Sequence, residues 1–432
     1  MTVRGAAFLG VGAMVGAGIF ALLGEAGTVA GSAVWLSFLL AGIVSTLLGY
    51  NVVKLGVRYP SSGGLIAYLL EGFGNGRLLG IASWLGYFAA IVIVCSMVAV
   101  SFGSYATSLF LGSDAWDGWD NVFTTLVVLG MAGVNVVGTR WVDRAQSLIV
   151  FVLLAVFAVF VVATFVEIDF DLLAFSGYPS VSDIVASVAL TFFAYLGFSV
   201  ITFAAGDLPD PARELPQAMY RALGVTTVLY VLISLGVFGT LTVAEVVGYG
   251  ETAIAEAARP TLGDAGFTIM AVAALLATSS SVLATLYASG GLTSLLAEVG
   301  QFPTFFGRRS PLGPHAGMLI TAGIVLVVSN LVDISAIASV GSACSLVVFL
   351  LVGVAGYRLR NETGAKAAIV LLGAAATIVV LAFFAVDTLR NAPETFSAMV
   401  GIGLLAVLLD VLWKWLRPAV DAASEPGSAP TS

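Results

Sequence analysis

The stretch Gly10–Phe20, GVGAMVGAGIF, sets four glycines, Gly10, Gly12, Gly16 and Gly18, inside an apolar run long enough to begin a membrane crossing. Each glycine costs a helix interior about 0.5–1 kcal/mol relative to alanine, so their density needs a reason. One reason is packing: small residues four apart, such as Gly12 and Gly16, let a second helix approach closely. The other is a deliberate interruption at membrane depth, where bare backbone lines a polar site. The stretch alone does not choose between them.

The rest of the chain defines the environment. Its 432 residues are 59% hydrophobic and 10% charged, and the mean hydropathy is +1.07. A soluble domain carries roughly 25% charged residues. Apolar runs of membrane length recur from end to end, so the fold class is an all-α polytopic membrane protein. Twelve spans are expected, near 6–29, 31–53, 78–111, 122–138, 145–166, 183–205, 217–243, 266–297, 316–332, 334–357, 367–386 and 396–416. The third and eighth are long enough to require tilt. No cleavage-site pattern follows the first run, so it reads as a retained span. Residues 1–420 form a single transmembrane domain, and 418–432 read as a disordered cytoplasmic tail.

The basic residues orient the chain. With the N-terminus in the cytoplasm, 17 basic residues divide so that all but Arg259 and Arg390 lie on the cytoplasmic side, Arg140, Arg144, Arg308 and Arg309 among them. That asymmetry puts both termini inside the plasma membrane. The net charge is −8, with no basic patch outside short loops, which excludes a nucleic-acid partner. Cys95 and Cys344 sit in separate apolar runs and read as packing residues. His315, the only histidine, falls in a loop. No catalytic or metal constellation remains at membrane depth, so the chain reads as no enzyme. The lipid bilayer is its surroundings, and no obligatory protein partner is evident.

A second stretch answers the first. Val188–Met219 reads VALTFFAYLGFSVITFAAGDLPDPARELPQAM, with Gly197 among aromatics and Pro209, Pro211 and Pro216 closing the span. The first span runs outward and the sixth inward. Spans 1–5 (5–166) and 6–10 (183–357) therefore form two five-helix units of opposite orientation, with extra helices in 367–416. Interrupted segments at matching places in two such halves point to a transporter site.

These stretches, with RYPSSGGLIAYLLEGFG, NVVGTR, and the run from LLATSSSVLATLYASGG to EVGQFPTFFGRRSPLGPHAG, resemble the amino acid–polyamine–organocation permeases over about residues 5–420. The resemblance implies a 5+5 inverted repeat of the leucine-transporter type. It implies that helices 1 and 6 are unwound at the midplane, with Gly12, Gly16, Gly18 and Gly197 as break residues. A substrate carboxylate would then rest on the amides of Ala17, Gly18 and Ile19, at a helix N-terminus. The ammonium would meet the carbonyls of Met14, Phe193 and Leu196. Phe193 takes the family's place for an aromatic gate, the alternative being plain aromatic packing with Tyr195 and Phe198.

What the resemblance implies is a permease moving amino acids by ion-coupled alternating access. The middles of spans 1, 3, 6, 8 and 10 hold no charged side chain, and Ser199 stands where relatives often carry an acid. Neutral, apolar amino acids are therefore expected as substrate. The alternative is a cationic amino acid or polyamine transporter, or an amino acid exchanger, of the same family. The fifth span lacks the lysine that proton-coupled relatives can carry near Leu153. Ser280 and Ser281, with the carbonyls of Gly12 and Val15, form a candidate oxygen-only sodium site. Against it, membrane serines commonly bond to the preceding turn. Sodium, proton and exchange stay open, and no other cofactor is expected.

Overall fold

A backbone at membrane depth finds no water, so a chain this apolar satisfies its amides and carbonyls as helices. In the computed structural model, residues 2–61, 64–112, 115–116, 118–137, 142–309 and 316–424 are described, and they are helical almost throughout. The first pass is divided into α1 (Val3–Ala17) and α2 (Ile19–Ala30), and α3 (Val34–Arg58) returns. A short α4 (Gly64–Phe73) precedes a long pass built from α5 (Arg77–Tyr87), a π-helical stretch Phe88–Ile93 and α6 (Val94–Phe110). Then come α7 (Gly118–Val137) and α8 (Val142–Val166). The pass after them starts as α9 (Val181–Phe193) and continues as a 3-10 segment, Leu196–Asp207.

α10 (Pro211–Phe238), the short α11 (Val243–Tyr249) and α12 (Ala253–Glu256), and the long α13 (Arg259–Glu298) follow. The chain ends with α14 (Ala316–Leu331), α15 (Ile334–Arg358), the single turn α16 (Arg360–Thr363), α17 (Ala367–Asn391) and α18 (Pro393–Ser424).

Among the described residues, 10 helical stretches are long and apolar enough to cross a membrane, while Val3–Gly16, Gly64–Phe73 and Ala316–Leu331 are apolar but shorter. The protein is thus a multi-pass membrane protein. Two differences from the expected spans have local causes. The first span is split at Gly18, and α2 joins α3 through a single 3-10 turn, Gly31–Ala33. The length of the eighth reflects a bend as well as tilt, because Gly263 at φ 64° separates the opening turn of α13 from the rest. That corner is held outside the helix by Arg259, which pairs with Glu256 at 2.6 Å and with Asp264 and stacks 4.1 Å over Phe267. α18 continues to Ser424, into the stretch expected to be a disordered tail; its Ala-rich sequence favours helix. Arg140, His315 and 425–432 lie outside the described residues.

The exterior is apolar, and the interior packs small residues among buried aromatic and aliphatic side chains. Leu371, Ile378, Leu404 and Leu408 stand exposed on α17 and α18, as a lipid-facing surface requires. α1 lies at the centre against α10, α13 and the 3-10 segment. Neighbouring helices are tied by hydroxyl and amide groups. Thr191 Oγ1 donates to Ser37 O (3.0 Å), Asn51 Nδ2 to Val352 O (2.8 Å), and Tyr87 meets Thr321 at 2.8 Å. α18 is anchored by Trp413 Nε1 donating to Gly300 O at 3.0 Å, and the buried Asp410 pairs with Lys414 of the same helix at 2.7 Å. A carboxylate removed from water persists there because its partner sits one turn away.

One close crossing is between α1 and the 3-10 segment. A Cβ on Gly197 would overlap the backbone at Ala13 and Met14. Gly197→Ala is therefore expected to lower thermal stability in detergent by about 1–3 kcal/mol, the cost of overpacking. Gly224→Ala, where a Cβ meets nothing within 4 Å, is the control. Equal melting curves for the two would refute the close approach.

Candidate functional site

Three departures from α-helical geometry converge in the middle of the bundle. The first is at Gly18, whose backbone (φ −109°, ψ −76°) ends α1 and starts α2 without a side-chain cap. The second is the turn Ala194–Tyr195, where Tyr195 N donates to Phe192 O and Phe198 N to Tyr195 O, both at 2.9 Å, and α9 tightens into the 3-10 segment. The third is the π stretch Phe88–Ile93, a geometry often found at functional sites.

Gly18 and Ala194 touch. A Cβ on Gly18 would lie 2.6 Å from both Ala194 O and Tyr230 Oη. Tyr230 Oη donates to Ala194 O at 3.1 Å. Tyr195 packs edge-on against Tyr230, with ring centroids 5.1 Å apart, and donates to Phe38 O at 2.9 Å. Tyr230 thus supplies a partner to backbone at the break, and Tyr195 ties the break to the backbone of α3.

The interruption falls on Gly18 alone. Gly12 and Gly16, expected as further break residues, stay inside α1. They keep their helical hydrogen bonds and serve approach instead: a Cβ on Gly16 would sit 2.8 Å from Ala277 O and 3.1 Å from Ser281 Cβ, so α1 rests on α13 there. The fourth expected break residue, Gly197, lies in the 3-10 segment just after the turn.

Beside the crossing is a cavity of about 160 Å³. α1 contributes Gly12 and Ala13, and the π stretch contributes Ala89 and Ile91. Phe193, Leu196, Gly197 and Ser199 form the next wall. Ser281 and Thr285 of α13 and Ser345 and Phe349 of α15 complete it. None of the lining residues is charged. On α1 the lining lies before Gly18, and α2 contributes nothing. Phe193 closes that end: it is buried, and its ring fills the space beside Gly341 and Ile93, where a Cβ on Gly341 would come within 2.7 Å of it. Farther along, Gly24 of α2 rests on the Gly250 backbone, with only 2.5 Å for a Cβ.

Of the expected substrate residues, Phe193 and Leu196 line the cavity, whereas Met14, Gly18 and Ile19 are buried at the crossing behind it and Ala17 ends α1. The Leu196 carbonyl already accepts from Ser199 Oγ at 2.9 Å. Of the expected cation ligands, Gly12 and Ser281 line the cavity, Val15 is buried, and Ser280 is half-buried away from it. Thr278 and Ser279 donate to the preceding turn, at Ala274 O (2.7 Å) and Leu276 O (3.1 Å). Among the described hydrogen bonds neither Ser280 nor Ser281 does so, which leaves their oxygens available to a hard cation. No group of three His, Cys, Asp or Glu suited to a metal exists among the described residues.

Sequence reasoning missed the π stretch, α4 and the Thr285 and Ser345 hydroxyls. Thr285 was within reach, since it lies four residues after Ser281 on the same helix face. The π stretch had no signal in an apolar run.

The family described as amino acid permease matches residues 2–407 of this chain. The inner membrane transport protein YbaT of Escherichia coli is 29% identical over 406 residues, covering 94% of each chain. An uncharacterized protein of Methanocaldococcus jannaschii is 31% identical, covering 87% of this chain and 86% of its own. The methylthioribose transporter of Bacillus subtilis is 26% identical, covering 82% and 79%.

Tyr230→Phe removes the donor to the Ala194 carbonyl and leaves it buried without a partner. The variant is expected to lose about 1–3 kcal/mol of stability, read as a lower melting temperature in detergent. An unchanged melting temperature would mean that the bond does not hold the crossing together.

Proposed function

Because the chain belongs to the amino acid permease family, which comprises transporters and not enzymes, we propose that it is a secondary active transporter moving neutral, apolar amino acids by ion-coupled alternating access. The observation that carries this reading is the uncharged cavity set against interrupted backbone. A cavity near 150 Å³ takes a molecule the size of benzene, which matches a compact aliphatic side chain. Helix ends at the break supply partial charges of both signs, enough for a zwitterion's two head groups. The carboxylate is assigned to the amides of Ala17, Gly18 and Ile19, and the ammonium to the carbonyls of Met14, Phe193 and Leu196. Gly18 is packed against Ala194 O and Tyr230 Oη, so substrate entry requires the crossing to loosen.

The same reading takes α1–α8 and α9–α15 as two inverted halves of five crossings each, both opening on an interrupted helix, with α17 and α18 appended. It puts both termini in the cytoplasm and the protein in the plasma membrane. Phe193 is the gate residue.

A cationic side chain would find no carboxylate in the cavity lining, and an unpaired charge there costs several kcal/mol. In proteoliposomes, leucine and alanine are expected to compete for uptake, while arginine, lysine and putrescine do not. Competition by arginine at concentrations similar to leucine would overturn the neutral-substrate reading in favour of a cationic one.

For the coupling ion we propose sodium, held by Ser281, Ser280 and the carbonyls of Gly12 and Val15. Such an ion would bridge α13 to α1 beside the break, so ion and substrate should each tighten the other by the same factor, about 5–150-fold. Ser281→Ala should weaken the sodium dependence and spare affinity at saturating sodium. Uptake driven by a pH gradient alone, with none under a sodium gradient, would remove the ion site.

A further inference from the structure

α4 is only 10 residues long, too short to cross a bilayer. It is bounded by glycines in left-handed backbone, Gly64 at φ 54° and Gly74 at φ 69°, which an L side chain rarely adopts. Its two ends are held differently. At the Phe73 end, the Arg358 guanidinium stacks 4.8 Å over the Phe73 ring and donates to Gly72 O at 3.3 Å. Gly72 also leaves only 2.9 Å between its Cβ position and Ala355 Cα. The Gly64 end instead carries Leu65 and Ile66 to the cavity described above.

A second cavity, of about 390 Å³, lies on the other side of α4 and includes Tyr59, Glu71 and Leu79 in its wall. Ile66 is the residue common to both linings, and it is buried, at 6% exposed. α13 runs past both. Ser281, Thr285, Ala288 and Leu292 of α13 line the first cavity, and Leu295 of α13 with Val299 just past its end lines the second. Steps of three and four residues put all of them on one helix face.

We propose that the two cavities are a single substrate path along this face of α13, and that Ile66 is the side chain that closes it, with α4 as the gate. This rests on the transporter reading. Ile66 is apolar and belongs to both linings, so moving it strands no polar side-chain group of its own. The Phe73 end stays fixed to α15 while the other end, hinged at Gly64 itself with its left-handed φ of 54°, carries Ile66 out of the path. Phe193 shuts the opposite end. The path therefore has one closing side chain at each end, as alternating access demands.

The test does not depend on substrate identity. Buried Cys95 and Cys344 are replaced by alanine, and one reporter thiol is placed on α13, either Ala288→Cys in the first cavity or Leu295→Cys in the second. A small anionic methanethiosulfonate reagent is then applied in detergent. With Ile66→Ala, the reporter at 288 should react about tenfold faster than in the parent, because the contacts that limit opening are reduced. With Ile66→Trp it should react more slowly. The reporter at 295 should react equally in all three, which also verifies that the region remains folded. The proposal is overturned if the reporter at 288 is indifferent to residue 66, or if both reporters change in step, which would make Ile66 a packing residue of α4. Labelled leucine uptake, measured separately, reports on the substrate reading: absent uptake with the reporters behaving as expected would remove leucine and leave the gate.

Discussion

Every backbone amide and carbonyl at membrane depth must find a partner within the protein, and this one requirement organises the structure. Most of the chain meets it by being helical. At Gly18 and at Ala194–Tyr195 it cannot, and the two interruptions are placed against each other. Tyr230 serves the Ala194 carbonyl, Tyr195 reaches Phe38 O, and Gly197 lets its strand of 3-10 helix lie on the α1 backbone. Neither break would be tolerable alone. Together they form a crossing whose unsatisfied groups are few and directed.

The same economy explains where charge appears. Ion pairs and polar clusters lie at the periphery: Asp410 with Lys414 on α18, and Arg259 with Glu256 and Asp264 at the Gly263 corner. The cavity between α1, α13 and α15 has only Ser199, Ser281, Thr285 and Ser345 as polar lining side chains. Gly24 meets the Gly250 backbone beyond Gly18, and the α1 residues that line the cavity all lie before Gly18.

How much was legible in the chain follows from what its residues could signal locally. Apolar runs of membrane length, the split of basic residues and the matching of GVGAMVGAGIF with FFAYLGF gave the fold class and the interrupted passes, because hydrophobic length and glycine placement act locally. The absence of charge from the cavity was legible as well, since a missing acid needs no contact to be noticed. The partition of the glycines was not. Gly12, Gly16 and Gly18 share one apolar stretch, and only the neighbour each one meets separates a packing glycine from a break. Ala277 of α13 faces Gly16, and Ala194 with Tyr230 faces Gly18.

Composition and periodicity by themselves determined that the chain lives in a bilayer and that it is helical, because transfer free energy and backbone propensity belong to individual residues and short windows; the interruption of two helices came from the resemblance of their glycine-bearing stretches to a known family. Tertiary structure alone decided that the first helix breaks at a single residue, that a π stretch in the Arg77–Phe110 pass lines the cavity beside it, and that α4, rather than another crossing, carries Ile66 between two cavities. Those features arise where one helix excludes or admits another, and no window of sequence contains both partners.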